Sequence, residues 1–479
     1  MQLSTGWLEW LVLGAGHELM LFASVGILLF GLDDLLFDLF WFTSRDRGDP
    51  ADRAKNTESD RPLLGKLAIF LPAWKEAAVL PATLTRALAA WEGEHFRIYI
   101  GCYPNDAETI LAISPLIARD PRLRLVIGAQ DGPTTKGDNL NGLWAALGED
   151  ERAEGFRFLG IVLHDAEDHV HPEELALYRR ELAGSAMVQI PVVPFLDRRS
   201  TWIGGHYCDE FAEAHGKEVV LRSRLGLPIP SAGVGCALSR RTMALLAIER
   251  GGQPFRADSL TEDYELGMLI GAYGLRARFV DILGANGDRI ASRGAFPVSI
   301  ETAVRQKSRW IAGIALAGWD SLGWIGANHR QIERSRSDIW LARWMLWRDR
   351  RAPLAALVLL AAYAALIVTT IGWAGQELAD WKISPPSRVE RTLFAFNGIL
   401  LLWRLGMRGF FTARWYGLRQ SLLALPRAFV ANIIAILAAR RAVMLYWRML
   451  RSGQVVWEKT DHFHDSPMLE PARSQAMTS

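Results

Sequence analysis

The sequence predicts an α/β protein, a mostly parallel sheet with flanking helices, joined to transmembrane and interfacial α-helices. Three observations predict it. Short apolar runs alternate with helical patterns through the first half of the chain, as strands joined by crossover helices require. Several of those runs end abruptly in polar or acidic loops, most sharply at FLGIVLHDAEDHV, residues 158–170. Long apolar stretches stand on both sides of this region, and half of all residues are hydrophobic.

The first stretch, residues 7–42, reads as a membrane anchor within a segment 1–44. It is too long for a signal-peptide core, and it has neither a basic leader nor a clear small-residue cleavage site. A span of about 20 residues fits either 8–30 or 19–41, because His17 and Glu18 interrupt it early and Asp33, Asp34 and Asp38 interrupt it late. Basic residues follow it at Arg45, Arg47, Arg53, Lys55 and Arg61. They place the N-terminus outside and the next segment in the cytoplasm. Residues 45–64 then form a polar linker.

Between 65 and 320 the elements follow in order. KLAIFL at 66–71 is a short buried strand, and 77–91 is helical. Residues 95–103 and 122–127 are the next strands, with helices at 107–118 and 140–147. Residues 159–163 form a strand buried on both faces, with Asp165, Glu167 and Asp168 where it emerges. Open α/β sheets bind ligands at that edge. Three crowded carboxyl groups are most simply held by a divalent cation with oxygen ligands, although an acidic turn capping the next helix reads the same way.

Other loops carry polar groups. Pro104, Asn105 and Asp106 form a loop in which Asp106 recognises a nucleoside base, or in which Asn105 or Asp106 caps the following helix. GAQDGPTTKGDNLN, 128–141, presents Lys136 near a helix start, a place for phosphate or for a solvated lysine. No GxxxxGK[ST] motif occurs. Gly233 and Gly235 mark a close backbone approach or a bulge. Glu262 and Asp263 open the helix 264–273, where acids are also ordinary first-turn residues. Gln306, Arg309 and Trp310 share an amphipathic helix.

From 321 to 455 interfacial and transmembrane helices are expected. Residues 353–374 and 393–411 are the expected spans, the second broken by Arg404 and Arg408, with Pro385 and Pro386 between them. Residues 422–439 fit a surface-lying helix as well as a further crossing. Residues 332–351 mix tryptophans with arginines and read as interfacial, with the guanidinium groups at lipid head groups. The tail 456–479 falls in the cytoplasm. Cys102, Cys208 and Cys236 are scattered and without metal-ligand spacing, so a reducing face fits and neither disulfides nor zinc are indicated. The formal net charge of +2 gives no reason to expect nucleic acid, whereas arginines among apolar runs point to membrane lipid.

Taken together, HDAED, TED and QxxRW followed by membrane segments resemble the membrane-embedded, inverting family-two glycosyltransferases, the group of cellulose, chitin and hyaluronan synthases. The resemblance runs from about residue 67 to 310. GLDDLLFDL at 31–39 and HDAEDHVHPEEL at 164–175 are similar to the glycosyltransferase part of NfrB-type inner-membrane proteins named for bacteriophage adsorption. The resemblance implies a GT-A domain at 65–320 that uses a UDP-sugar and Mg2+ or Mn2+. Asp106 would contact the uracil and Lys136 the ribose or diphosphate. Asp165 and Glu167 would hold the metal, with Glu167 in place of the commoner Asp and Asp168 an alternative ligand. Asp263 would be the general base. Gln306 and Arg309 would flank the diphosphate, and Trp310 and Glu262 the acceptor.

The chemistry requires these residue types. Displacement at the anomeric carbon puts negative charge on the leaving diphosphate, the acceptor hydroxyl must lose a proton, and a Trp face suits a sugar ring. The expected activity is sugar transfer to a growing exopolysaccharide or surface glycan at the cytoplasmic face of a bacterial inner membrane, with an export or outer-membrane partner. The alternatives are a lipid-linked acceptor, or a membrane scaffold or phage-adsorption component with an inactive transferase fold.

Overall fold

The computed structural model of the protein describes residues 3–44, 63, 65–324, 336–379, 381–382 and 384–453. The expectations for the basic flank at 45–61, most of the linker, residues 332–335 and the tail lie outside the described residues.

A seven-stranded sheet organises the middle of the chain, in the order β3-β2-β1-β4-β7-β5-β8. Its first strands are β1 (Leu67–Pro72), β2 (Phe96–Cys102), β3 (Leu123–Ile127) and β4 (Gly160–Leu163), all parallel. Helices α2 (Leu80–Ala90), α3 (Ala107–Ile117) and α4 (Lys136–Glu154) make the crossovers, after the N-terminal helix α1 (Leu3–Thr43). The side-chain alternation of a strand decides which layer each residue joins. Leu67, Ile69 and Leu71 enter the core beneath α2, together with Leu84 and Trp91. Ala68 and Phe70 enter the opposite core beneath α4, together with Leu143 and Leu147. Truncating a ring buried as fully as Phe70 costs about 3–5 kcal/mol.

Beyond β4 come α5 (Glu174–Glu181), β5 (Met187–Gln189) and β6 (Val192–Pro194). Then follow α6 (Ile203–Glu213), a π-helical turn, α7 (Val219–Arg224), β7 (Cys236–Ser239), α8 (Arg240–Glu249) and α9 (Glu262–Ala272). The sheet is mostly parallel, as expected, but β7 runs antiparallel to both β4 and β5. Strand β8 (Ala277–Phe279) closes one edge, and β6 pairs with β9 (Ser292–Gly294) in a second, two-stranded sheet. The antiparallel strand places the loop before Cys236 at the same sheet edge as the loops after β1, β2 and β4.

Helix α10 (Ile300–Ile311) leads through a second π-helical turn and the short α11 (Gly318–Leu322) to α12 (Arg336–Arg350), α13 (Ala352–Ala379), α14 (Arg388–Tyr416) and α15 (Leu418–Ser452). Among the described residues three helices are long and apolar enough to cross a membrane: Val12–Thr43, Ala352–Leu378 and Leu418–Ser452. This revises the expected spans. The apolar run of α14 is cut by Arg404 and Arg408, whereas α15 continues through Pro426 as one 35-residue helix.

The expectation for the segment ending at Arg351 is corrected as well. Arg348 and Arg351 do not reach out to head groups but pair with Asp33 and Asp34 of α1, with Arg351 Nη1 2.5 Å from Asp33 Oδ2 and Nη2 2.5 Å from Asp34 Oδ1. Trp344 Nε1 donates to Asp33 Oδ1 at 2.6 Å. Lower on α1, Asp38 Oδ1 accepts from the buried Lys217 at 2.7 Å and its Oδ2 from Trp403 at 2.8 Å. Phe37 and Trp41 fill a core with Cys208, Phe411 and Trp415. The end of α1 is therefore seated in protein through both charge and apolar burial.

Candidate active site

One cleft gathers the loops at the C-terminal edge of the sheet. Trp74 and Glu76 come from the loop after β1, Tyr103 from the end of β2, and Lys136 and Asn139 from the first turn of α4. Asp165 to Asp168 follow β4, Thr261 to Asp263 open α9, and Gln306, Arg309 and Trp310 come from α10. Spacings of three and four residues put the last group on one helix face. Every site residue expected from the sequence except Asp106 lines this cleft.

Asp165 leaves the end of β4 in a turn that Asp168 holds. Asp168 Oδ2 accepts from the Asp165 N–H at 3.1 Å and shares a proton with His164 Nδ1 at 2.9 Å. His164 Nε2 lies 2.9 Å from Glu174 Oε1. Burial works against a charged imidazole, but Glu174 and Asp168 hold the proton on it and push it up to about 10. The phrase HDAEDHVHPEEL thus encodes a buried ion-paired support beneath the acidic turn. One oxygen of Asp168 is committed to that support.

Lys136 is the cation set among these acids. Its Nζ lies 2.6 Å from Asp165 Oδ1 and 3.4 Å from the carbonyl of Gly233. Burial opposes its charge, but Asp165, Glu262 and Asp263 keep it protonated above the ordinary lysine range. Glu167 is driven well up by burial first and then by Asp165, Asp168 and Glu76. Glu262 is pushed up to about 7 by burial and by Asp263. Burial also raises Asp263, against the pull of Lys136 and Arg309.

Asp263 Oδ1 accepts the N–H of Tyr264 at 2.7 Å. Its Oδ2 sits where a side chain on Gly233 would be, since a Cβ there would lie 2.4 Å from it and the backbone φ is +75°. Thr261, the N-cap residue, makes no side-chain cap bond, and one Asp263 oxygen serves the first turn of α9 while Oδ2 faces Gly233. Gln306 Oε1 is buried and has no hydrogen-bond partner among the described residues.

Among the described residues no three Asp, Glu, His or Cys side chains stand close enough to hold a metal ion by themselves. The donor set nevertheless fits a hard divalent ion of the Mg2+ class, which is commonly held by one or two carboxylates with substrate phosphates completing the shell. Asp165 and Glu167 are the residues that would supply them.

Asp106 lies elsewhere. It is buried at the N-cap of α3, where Oδ1 accepts from Thr109 N–H at 3.4 Å and Oδ2 from Lys75 N–H at 2.6 Å. The capping alternative describes what its carboxylate does. Sequence reasoning missed Trp74, Glu76, Tyr103, Phe211 and Phe296, all of which line the cleft. The first three follow β1 or end β2, so the strand-edge rule could have found them. No motif or strand end marks Phe211 and Phe296 in the sequence, and only the fold turns them to the cleft.

A mostly parallel sheet with this acidic cleft at its C-terminal edge, and membrane-length helices beside it, is an α/β architecture built to hold a ligand at the strand ends. Residues 160–375 match the family described as glycosyl transferase family group 2. It is 33% identical over 458 residues to bacteriophage adsorption protein B of Escherichia coli, in two strains, covering 90% of this chain and 60% of that protein. The chain thus spans 60% of the length of these curated relatives. The solved mannosyltransferase from Pyrobaculum calidifontis, in complex with GDP-Man and Mn2+, shares the fold at 15% identity and a TM-score of 0.50, over 88% of this chain and 99% of that one.

Proposed function

We propose that the protein transfers a sugar from a nucleoside-diphosphate sugar, taken as a UDP-sugar, to a hydroxyl of a growing glycan at a membrane surface, with inversion. The observation that carries this reading is the single cleft in which Glu262 and Asp263 meet Asp165, Glu167 and Lys136 beside Gln306, Arg309 and Trp310. In support, the archaeal structure of the same fold was solved with a nucleotide sugar and Mn2+. The basic flank at Arg45 to Arg61 supports a cytoplasmic catalytic domain in an inner membrane.

A divalent ion, when bound at Asp165 and Glu167, would neutralise the diphosphate. Lys136 and Arg309 add fixed positive charge where the leaving diphosphate gains its electron pair. Asp263 takes the proton of the acceptor hydroxyl, whose oxygen bonds to the anomeric carbon as the bond to the diphosphate breaks. A carboxylate raised by burial is a better base than an ordinary one, and Gly233 leaves its Oδ2 room. Trp310 offers a ring to the acceptor sugar.

A second reading, a lipid-linked acceptor, is favoured by one observation. Phe211, Phe296 and Trp310 pack in one cluster with Val430 and Ile434 of the membrane-length helix α15. That places the apolar wall of the cleft against a membrane helix. Product length separates the two readings. The name of the relatives is also consistent with a phage-adsorption scaffold, which would release no UDP.

The test is UDP release from a panel of UDP-sugars by purified protein with Mn2+ or Mg2+. Asp263→Asn should lower turnover by roughly 10²- to 10⁴-fold, with UDP affinity and melting temperature near wild type. Near-wild-type turnover in that variant would remove Asp263 as the base.

A further inference from the structure

Helix α9 carries Asp263 in its first turn, yet the cap residue Thr261 makes no side-chain bond there. Two other side chains fasten this turn. Glu265 Oε1 accepts from Ser259 Oγ at 2.8 Å, a tie to the loop just before the helix. Tyr264 reaches farther. Its hydroxyl donates to Asp349 Oδ2 of α12 at 2.9 Å, across 85 residues of chain. Its backbone N–H is the group that Asp263 Oδ1 accepts.

Asp349 is itself held in place. Its Oδ1 pairs with the buried Arg222 of α7, which also donates to the carbonyl of Met345 at 3.3 Å. The Tyr264 ring is buried in a small core with Met268 and Leu346. Burial, and then Asp349, push its phenol well above the ordinary tyrosine range, so it stays a donor. A hydroxyl that donates to a carboxylate makes a shorter and stronger bond than one between neutral groups. On either side of Asp349, Arg348 and Arg351 pair with Asp33 and Asp34 of α1. Tyr264 and Asp349 both stand behind the cleft wall, outside the set of residues that line it.

We propose that Tyr264 and Asp349 are positioning residues for Asp263: through the phenol next to the base, α12 sets where that carboxylate stands, and the same stretch of chain is tied to the N-terminal helix α1. This role rests on the reading of Asp263 as the base. A base must meet the acceptor hydroxyl within hydrogen-bond reach, and a shift of the first turn of α9 carries Asp263 with it. Tyr264 is suited to the task because one residue supplies both the N–H on the base and the hydroxyl on α12.

The test uses the full chain in detergent, with UDP release from a UDP-sugar that the wild type turns over and UDP binding with Mn2+ by calorimetry. Tyr264→Phe removes one hydroxyl and keeps the ring in its core. It should lower kcat by roughly tenfold, on the scale of a small misplacement, with UDP affinity as in the wild type. Asp349→Ala should lower kcat at least as much, and adding Tyr264→Phe to it should lower kcat no further. In an Asp263→Asn background Tyr264→Phe should also have no added effect, because the hydroxyl acts through the base. Near-wild-type kcat in Tyr264→Phe would overturn the proposal, and so would the same fold loss with Asp263→Asn already present, which a merely structural hydroxyl predicts. If Asp263→Asn alone keeps wild-type turnover, the base reading itself fails and the positioning role falls with it.

Discussion

Lys136 stands within reach of both acidic sets, with Asp165 2.6 Å away and Glu262 and Asp263 acting on its charge. An ion bound by Asp165 must compete with this ammonium. Lys136→Gln should therefore bind Mn2+ more tightly in the absence of nucleotide, by roughly five- to tenfold on the scale of ordinary coupling energies, and should bind UDP more weakly. Manganese EPR with and without UDP reads both effects, and unchanged Mn2+ affinity would mean that Lys136 does not occupy the ion's place. Glu262 gives a pH signature. Its carboxyl lies at about 7 in the folded protein against an ordinary 4.5, so its contribution to stability is complete below about 4.5 and is lost as pH rises through about 7. A difference of that size is worth on the order of 3 kcal/mol at most. Glu262→Gln should flatten the fall in melting temperature between pH 5 and 8, and an unchanged pH slope would place the titration on Asp263 instead. Most of these residues were legible because each is a charge where a strand ends or a helix begins. Asp106 stood in the right place, but a carboxylate before a helix caps it as readily as it binds, and the sequence does not show that Thr109 and Lys75 N–H groups take up its two oxygens.

Helices α6, α14 and α15 meet at a fully buried ion pair, Asp209 with Arg427, 3.0 Å apart. Arg427 also donates to the carbonyl of Gly205 at 2.7 Å, and Thr412 Oγ1 to Asp209 at 3.2 Å. Removing one partner leaves a charge in a dry interior, which costs about 3–5 kcal/mol. Arg427→Met should lose about that much, and the double variant with Asp209→Asn should recover part of it. Thermal melts in detergent check this, and equal losses in the single and double variants would show that packing rather than charge is at stake. Element boundaries were readable where the apolar period was clean, as in β1 and β4. They are less exact in the last third, where Arg404 and Arg408 interrupt the expected span 393–411 and Pro426 leaves 422–439 open between a surface-lying helix and a crossing. Arg404 lies within α14 and turns to Glu213, while α15 runs on past Pro426 because its apolar face has partners on α14 and α10. A sequence shows the charge but not the acid across from it.

For the whole molecule, the basic flank predicts that the catalytic domain lies in the cytoplasm. A reporter enzyme active only in the cytoplasm should work when fused near Arg53 and fail when inserted near Ser384, between α13 and α14, and the opposite pattern would invert the topology. The broad plan of sheet, cleft and flanking membrane helices could be read in advance because it depends on local period. The contacts between α1 and the rest could not, because they join residues 315 and 318 apart in the chain. That separation also sets a timetable for biosynthesis. At ordinary translation speeds Asp33 waits roughly 15–60 s for Arg348 and Arg351 to be made. Until then the contacts of Asp33 and Asp34 with Arg348 and Arg351 cannot form, so the first helix made takes its final place only after most of the chain has followed it.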